Sequence, residues 1–158
     1  MAFEQKDNIL LTFRSKAHEA LISVWWTGIL LKKESKKFFR PYIASEAQFN
    51  VLMILKYADK NFTQNDLSER LLVDKSNVTG LIDNMEKTHF IQRNRVKGDR
   101  RSYHISLTKK GKNLIDKLDK IYQKKVGEIM ASLDERDCDD IIRLTKKLRE
   151  GLFLSKEQ

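Results

Sequence analysis

Residues 63–87 read TQNDLSERLLVDKSNVTGLIDNMEK and residues 98–111 read GDRRSYHISLTKKG, and these two stretches decide the fold. In the first, Thr63 with Asp66 three residues on is an N-terminal cap, and Leu67, Leu71 and Leu72 are the apolar positions of a short helix. Asp74 caps the next helix, predicted over about residues 75–88, where Val78, Leu81, Ile82 and Met85 recur at helical spacing on one face. The period then changes from helical to alternating. Residues 91–96 and 101–107 read as two strands around Lys97, Gly98 and Asp99, with Tyr103, Ile105 and Leu107 on one face and Ser102, His104 and Ser106 on the other. Two short helices joined by Leu72 and Val73, the second followed by a basic hairpin, are the parts of a winged helix-turn-helix.

Outward from this centre the chain is helical. No Pro interrupts residues 8–39, and Leu10, Ala17, Val24, Leu31 and Phe38 recur every seven residues beside Phe13, Leu21 and Ile29, which predicts one long amphipathic helix. Its uncharged run, residues 20–31, is 12 residues long, whereas a membrane span needs about 20, so it reads as a buried helix. Pro41 ends this helix, and Ser45 with Gln48 forms a capping box ahead of Phe49, Leu52, Met53 and Leu55. Thr108 caps a fifth helix carrying Leu114, Leu118, Ile121, Tyr122, Ile129 and Leu133. Asp134 starts a sixth with Ile141, Leu144, Leu148 and Leu152. The expected class is mainly α with a small β-hairpin wing, a winged helix-turn-helix with long N- and C-terminal dimerisation helices. Residues 1–158 are expected to form one domain, with the winged-helix lobe, whose bounds of about 45–111 follow from the resemblance given below, as its DNA-binding part and dimerisation helices at about 8–39 and 112–154. A homodimer is expected because the apolar stripes of residues 8–39 and 134–154 exceed what one small lobe can cover.

Charge narrows the function. The 31 Lys and Arg against 22 Asp and Glu give a net +9, and the excess is +4 over residues 1–60, +5 over 61–112 and 0 over 113–158. A polyanion is the expected partner, either nucleic acid or an acidic membrane surface. The lone Cys138 excludes an intrachain disulfide, and residues 1–8 show no export signal, so a cytoplasmic location is expected. Cys138 stands among Asp137, Asp139 and Asp140, surroundings that disfavour a reactive thiolate. His18, His89 and His104 fall on different elements without metal-ligand spacing, and Asn77-Val78-Thr79 matches a glycosylation acceptor only by chance in a helix. With no phosphate loop, nucleophile elbow or His cluster, neither an enzyme nor a cofactor is expected.

The outward positions of the fourth helix are Ser76, Asn77, Thr79, Gly80, Asp83 and Asn84, short hydrogen-bonding groups suited to base edges and phosphates. Gly80 permits close backbone approach, and the helix start near Lys75 favours a phosphate. In the hairpin Arg93, Arg95, Lys97, Arg100 and Arg101 face only Asp99, a concentration of charge that calls for an anion; minor grooves accept inserted Arg.

Residues 45–111 resemble the MarR (multiple antibiotic resistance regulator) family of dimeric winged-helix repressors, through Gln48 to Leu55, the helix-turn-helix stretch quoted above, and the wing with Asp99, Arg101, Leu107-Thr108 and Gly111. The resemblance implies double-stranded DNA, as a pseudo-palindromic operator, for partner. It assigns Ser76, Asn77 and Thr79 to the major groove and Arg101, steadied by Asp99, to the minor groove. It also implies a small aromatic effector between the long helices and the DNA-binding lobe, for which Trp25, Tyr42 and Phe49 are the expected contacts; ordinary packing is the rival role for each. The chain departs from the family at His89, where Gly is usual before the first wing strand, and a left-handed residue with local strain is expected there. The alternative is a winged-helix nucleic-acid-binding or architectural protein without ligand response.

Overall fold

The computed structural model describes residues 13–71, 75–96 and 99–154, with backbone alone at 75, 76, 96, 99–102 and 154. In chain order these form α1 (Lys16–Phe39), α2 (Glu46–Lys56), β1 (Phe62–Thr63), α3 (Gln64–Arg70), α4 (Lys75–Lys87), β2 (Ile91–Val96), β3 (Asp99–Leu107), α5 (Lys109–Met130) and α6 (Glu135–Leu154). The helix-turn-helix and wing arise where the sequence predicts them. Thr63 Oγ1 accepts from the Asp66 N–H and Asp66 Oδ2 accepts from the Thr63 N–H at 2.7 Å, a complete capping box whose hydrogen bonds hold the Asp66 carboxyl below the ordinary range. The Leu72-Val73 turn and the Asp74 cap lie outside the described residues.

Several boundaries differ from expectation. α1 begins at Lys16 rather than near residue 8, because Ser15 takes an extended conformation and its hydroxyl accepts from the His18 N–H. α3 ends at Arg70, which leaves Leu71 as a buried residue beyond the helix. At α2 only half of the expected box forms: Ser45 caps Gln48, but the Gln48 side chain accepts from the Ala44 N–H at 2.9 Å. The wing is not a lone hairpin. β1 pairs antiparallel with β3 (Phe62 opposite Ile105, Thr63 opposite His104), giving a three-stranded sheet in the order β1-β3-β2; a two-residue strand carries no alternation to read.

The core gathers Phe39, Phe49, Val51, Leu52, Leu67, Val78, Ile82, Met85, Ile105, Ile115 and Leu118 between α2, α3, α4, the sheet and the first half of α5. Across it, Lys56 Nζ at 2.8 Å and Tyr57 Oη at 2.6 Å both donate to Asp119 Oδ2, clamping α2 to α5. Those two bonds, Lys56 first, hold the Asp119 carboxyl below the ordinary aspartate range.

Two backbone features make the α4–wing–α5 corner. His89 has φ 59°, as expected at a left-handed helix end; its N–H reaches the Glu86 carbonyl at 2.9 Å and the Phe90 N–H reaches that of Met85 at 2.9 Å, a Schellman closure of α4. Thr108 then caps α5 and donates to the His89 carbonyl at 2.6 Å. Gly111 follows in the first turn, where a Cβ would stand 1.9 Å from the Phe90 carbonyl oxygen. The glycine of the Leu-Thr…Gly motif is there for helix-to-backbone contact, not for DNA.

By contrast, the expectation of a buried helix over residues 20–31 does not hold for the single chain. Leu21, Val24, Trp25, Trp26, Ile29, Leu30 and Leu31 are all exposed, because α1 meets the core only through its last turn at Phe38 and Phe39. On α6, Ile141, Ile142, Leu144, Leu152 and Phe153 are exposed as well. Among the described residues no helix is long and apolar enough to cross a membrane.

Gly111→Ala must displace the Phe90 backbone and is expected to cost about 3 kcal/mol, whereas His89→Gly relieves the left-handed residue and adds about 0.5–1 kcal/mol, both read by urea denaturation. Asp119 has a folded pKa below its unfolded value of about 3.9, so its contribution is full above that value and is lost as pH falls through the folded one. Asp119→Asn is expected to lower stability at pH 7 and to flatten the acid-side decline below about pH 4.

Candidate DNA-binding surface

α4 buries Val78, Ile82 and Met85, so at 3.6 residues per turn its opposite ridge carries Ser76, Gly80, Asp83 and Lys87. Thr79 and Glu86 lie on the flank towards α3 and the wing. Asn77 and Asn84 lie on the flank towards α2. Side-chain bonds hold both flanks. Buried Gln48 donates from Nε2 to Asn84 Oδ1 at 2.8 Å. On the other side Gln64 Nε2 donates to Thr79 Oγ1 at 2.8 Å.

Arg93 ties the wing to this helix. Its Nη2 lies 2.6 Å from Asp83 Oδ1 and its Nη1 2.5 Å from Glu86 Oε2, while its backbone N–H reaches Glu86 Oε1 at 3.2 Å. Nη2 also donates to Gln64 Oε1 at 3.2 Å. The expectation that Arg93 is one of the charges awaiting an external anion is therefore corrected, and Asp83, expected among the outward groups, is tied to it; Asn84 is exposed as expected, with its Oδ1 taken up by Gln48. Arg93 stands opposite Ile105 in the ladder and two residues from buried Ile91, so it shares their inner face, where α4 supplies two carboxylates. That parity is readable in the sequence, but the basic composition of the hairpin obscures it. Gln48 and Gln64, the two supports of α4, carry no sequence signal for this role.

Asn77, Thr79, Gly80, Asn84 and Lys87 are exposed on α4; nothing lies within 4 Å of a Cβ built at Gly80, so no packing within the chain requires glycine there. Lys75 and Ser76 begin α4, with side chains outside the described residues. In the wing Arg95 is exposed on β2 opposite Tyr103, and Asp99 pairs with Val96 at the start of β3. The side chains of Asp99, Arg100 and Arg101 lie outside the described residues, as does all of Lys97.

The three expected effector contacts are not brought together. Trp25 is 64% exposed on α1, far from the core; Tyr42 is half-buried; Phe49 is a core residue with its ring 4.7 Å from those of Phe39 and Tyr122. A cavity of about 200 Å³ does lie between the end of α1 and α5, lined by Leu31, Ser35, Phe38, Phe39, Tyr122 and Val126 among others. A second, of about 360 Å³, is lined by Lys37, Lys124 and Lys125 around Phe38 and Ile121. Neither is lined by Trp25, Tyr42 or Phe49. Among the described residues no group of His, Cys, Asp and Glu could hold a metal ion.

The family pattern described as MarR family matches residues 44–103, the stretch that contains α2, α3, α4, the wing's first strand and the start of its second. The transcriptional regulator SarZ of Staphylococcus aureus is 30% identical over 110 residues, 70% of this chain and 72% of SarZ. The chain belongs to the MarR family. The transcriptional repressor YetL of Bacillus subtilis is 28% identical over 114 residues, 72% of this chain and 68% of YetL. Among solved structures, AbsC of Streptomyces coelicolor, a MarR family transcriptional regulator, superimposes with a TM-score of 0.80 at 19% identity over 90% of this chain and 98% of its own. MepR of S. aureus in its DNA complex gives 0.75 at 20% identity over 83% and 96%. This MarR family member is a DNA-binding transcriptional regulator, and its fold is a winged helix-turn-helix flanked by long helices.

The Arg93 clamp yields a prediction that separates it from its neighbour. Arg93→Ala leaves Asp83 and Glu86 without their shared cation and is expected to cost about 1–2 kcal/mol and to speed amide exchange along β2. Arg95→Ala, at an exposed wing position, should change stability by less than about 0.5 kcal/mol.

Proposed function

We propose that this regulator is a cytoplasmic homodimeric repressor that binds a pseudo-palindromic operator and releases it when a small aromatic molecule binds. The observation that carries the DNA-reading part is the division of labour on α4. Its apolar face is engaged inside the chain and Gln48 and Gln64 brace Asn84 and Thr79 through one hydrogen bond each, while Asn77, Thr79 and Gly80 stay exposed beside the start of the helix at Lys75 and Ser76. These five residues meet the major groove. Arg101, steadied by Asp99, enters the minor groove, and Arg95 and Arg100 neutralise flanking phosphates. The whole of residues 1–158 acts as one domain, with the DNA-binding lobe at about 45–111.

Dimerisation uses the long helices at about 8–39 and 112–154. The support is their uncovered apolar surface: Trp25, Leu30 and Leu31 on α1 and Ile142, Leu144 and Phe153 on α6 cannot all stay in water in a soluble regulator. Repression is supported by the likeness to YetL, itself a transcriptional repressor. The effector reading rests on the cavity beside Phe38, Phe39 and Tyr122, at the joint between α1 and the lobe, which replaces the Trp25, Tyr42 and Phe49 grouping as the place to look. Footprinting on the chain's own upstream DNA, with and without aromatic acids, tests the whole reading. Protection that no such compound relieves would favour the ligand-independent alternative.

The two DNA-reading elements should separate by mutation. Arg101→Ala is expected to weaken operator and unrelated DNA alike and to flatten the dependence of log K on log salt by about 0.9 per lost phosphate neutralisation. Asn77→Ala should cost about 1–3 kcal/mol on operator, with little change on unrelated DNA or in the salt slope. Titrations of both variants on both DNAs at several salt concentrations check this; an unchanged Arg101→Ala with Arg95→Ala abolishing binding would move the contact from the wing tip to the strand.

A further inference from the structure

Thr79 is exposed on the flank of α4, and its Oγ1 accepts from Gln64 Nε2 at 2.8 Å. Gln64 Oε1 accepts in turn from Arg93 Nη2 at 3.2 Å. The direction of this chain follows from the chemistry of its members. A guanidinium has only donors, so the Gln64 atom that meets Arg93 must be the carbonyl oxygen, and the amide therefore presents its NH₂ to Thr79. That NH₂ can only donate. Thr79 Oγ1 must accept, and its own proton points elsewhere.

Elsewhere in the chain, helical threonines turn that proton back onto their own helix. Thr27, Thr88 and Thr145 donate to the carbonyls of Ser23, Asn84 and Ile141 four residues earlier, at 2.8, 3.0 and 2.6 Å. Thr79 makes no such bond, and among the described residues nothing accepts its proton.

We propose that Gln64, oriented by Arg93, presets Thr79 as an outward hydrogen-bond donor, so that this point of α4 selects an acceptor on DNA. The acceptor is either a phosphate oxygen or, on a base edge in the major groove, guanine O6 or N7, adenine N7 or thymine O4; the amino groups of adenine and cytosine are rejected there. The inference rests on α4 being the groove-reading helix. It makes Gln64 a positioning residue that touches no DNA yet sets what Thr79 can read.

The test uses the full-length protein and a pool of short duplexes of randomised sequence, from which the wild type selects its preferred DNA. Thr79→Val keeps the shape and removes the hydroxyl, and should weaken binding about three- to tenfold. A loss confined to one symmetry-related pair of positions identifies a base edge; an equal loss on selected and unselected duplexes identifies a phosphate. Gln64→Glu supplies a carboxylate that accepts from Arg93 and from the Thr79 hydroxyl, turning its proton inward, so Thr79→Val should then cost nothing further. The charge that Gln64→Glu adds lowers affinity equally with and without Thr79→Val and cancels in the cycle. Gln64→Leu, which is uncharged, is the second route: Thr79 is free to turn to the Lys75 carbonyl, and the cost of Thr79→Val should shrink. The proposal is overturned if Thr79→Val costs the same in all three backgrounds, or costs nothing in the wild type while Asn77→Ala does weaken binding. If neither Asn77→Ala nor Thr79→Val affects binding, the groove-reading role of α4 falls and this inference with it.

Discussion

The wing and the recognition helix are one rigid unit because a single guanidinium, that of Arg93, sits between two carboxylates of α4 and one amide of α3. Arg93 is only partly exposed, at 22% of its side chain, while Asp83 and Glu86 reach it from the solvent side, so the ion pairs are shielded at the guanidinium end and open at the carboxylate end. Lysine could not replace it, since one ammonium cannot reach three partners with planar, divergent donors. The position of β2 is thus set by a contact made with α4 as well as by its ladder with β3. The opposite flank is fixed through Gln48, whose amide links the start of α2 to Asn84. Held on both flanks, α4 presents its remaining groups at fixed spacing, which is what the base-reading role proposed for it requires.

Much of this architecture was legible because its signals are local. Caps at Thr63, Ser45 and Thr108 act within four residues, and the apolar spacing of Val78, Ile82 and Met85 needs no knowledge of the partner surface. Even the left-handed His89 was expected, though through the resemblance, from the glycine usual at that place before the first wing strand. What escaped were contacts over long sequence separation. The two-residue β1 exists because β3 offers it a ladder, and Gln64 matters because Thr79 and Arg93 arrive beside it from 15 and 29 residues away. Composition also misled, since five basic residues in the hairpin suggested one common purpose, while strand parity turned Arg93 inward to a structural one.

The same contrast governs the aromatic residues. Phe38, Phe39 and Phe49 were visible as a concentration of rings, but not their common partner Tyr122 on α5, which brings its ring 6.0, 5.9 and 4.7 Å from theirs. This stack is where the long helices meet the lobe. Upstream of it α1 makes few contacts within its own chain, and its apolar side chains face outward.

The face of α4 is not easily deformed, because Arg93, Gln64 and Gln48 hold α4 to α2, α3 and the wing. On the ligand-released reading proposed above, an effector would instead move the lobe as a body relative to the long helices, with the ring stack at Phe38, Phe39 and Tyr122 as the joint. Rings are suited to a joint because offset and edge contacts interconvert at a cost of about a kcal/mol, whereas shifting α4 against the wing would break the several directed bonds of Arg93 at once. The cavity of about 200 Å³ opens beside that stack, so an occupant would compete with ring-to-ring contact rather than with any bond to the DNA-reading groups. If the dimer meets half-sites about 34 Å apart through α4, as proposed, a small tilt at each joint would take both copies of α4 out of register together while their side chains keep their places.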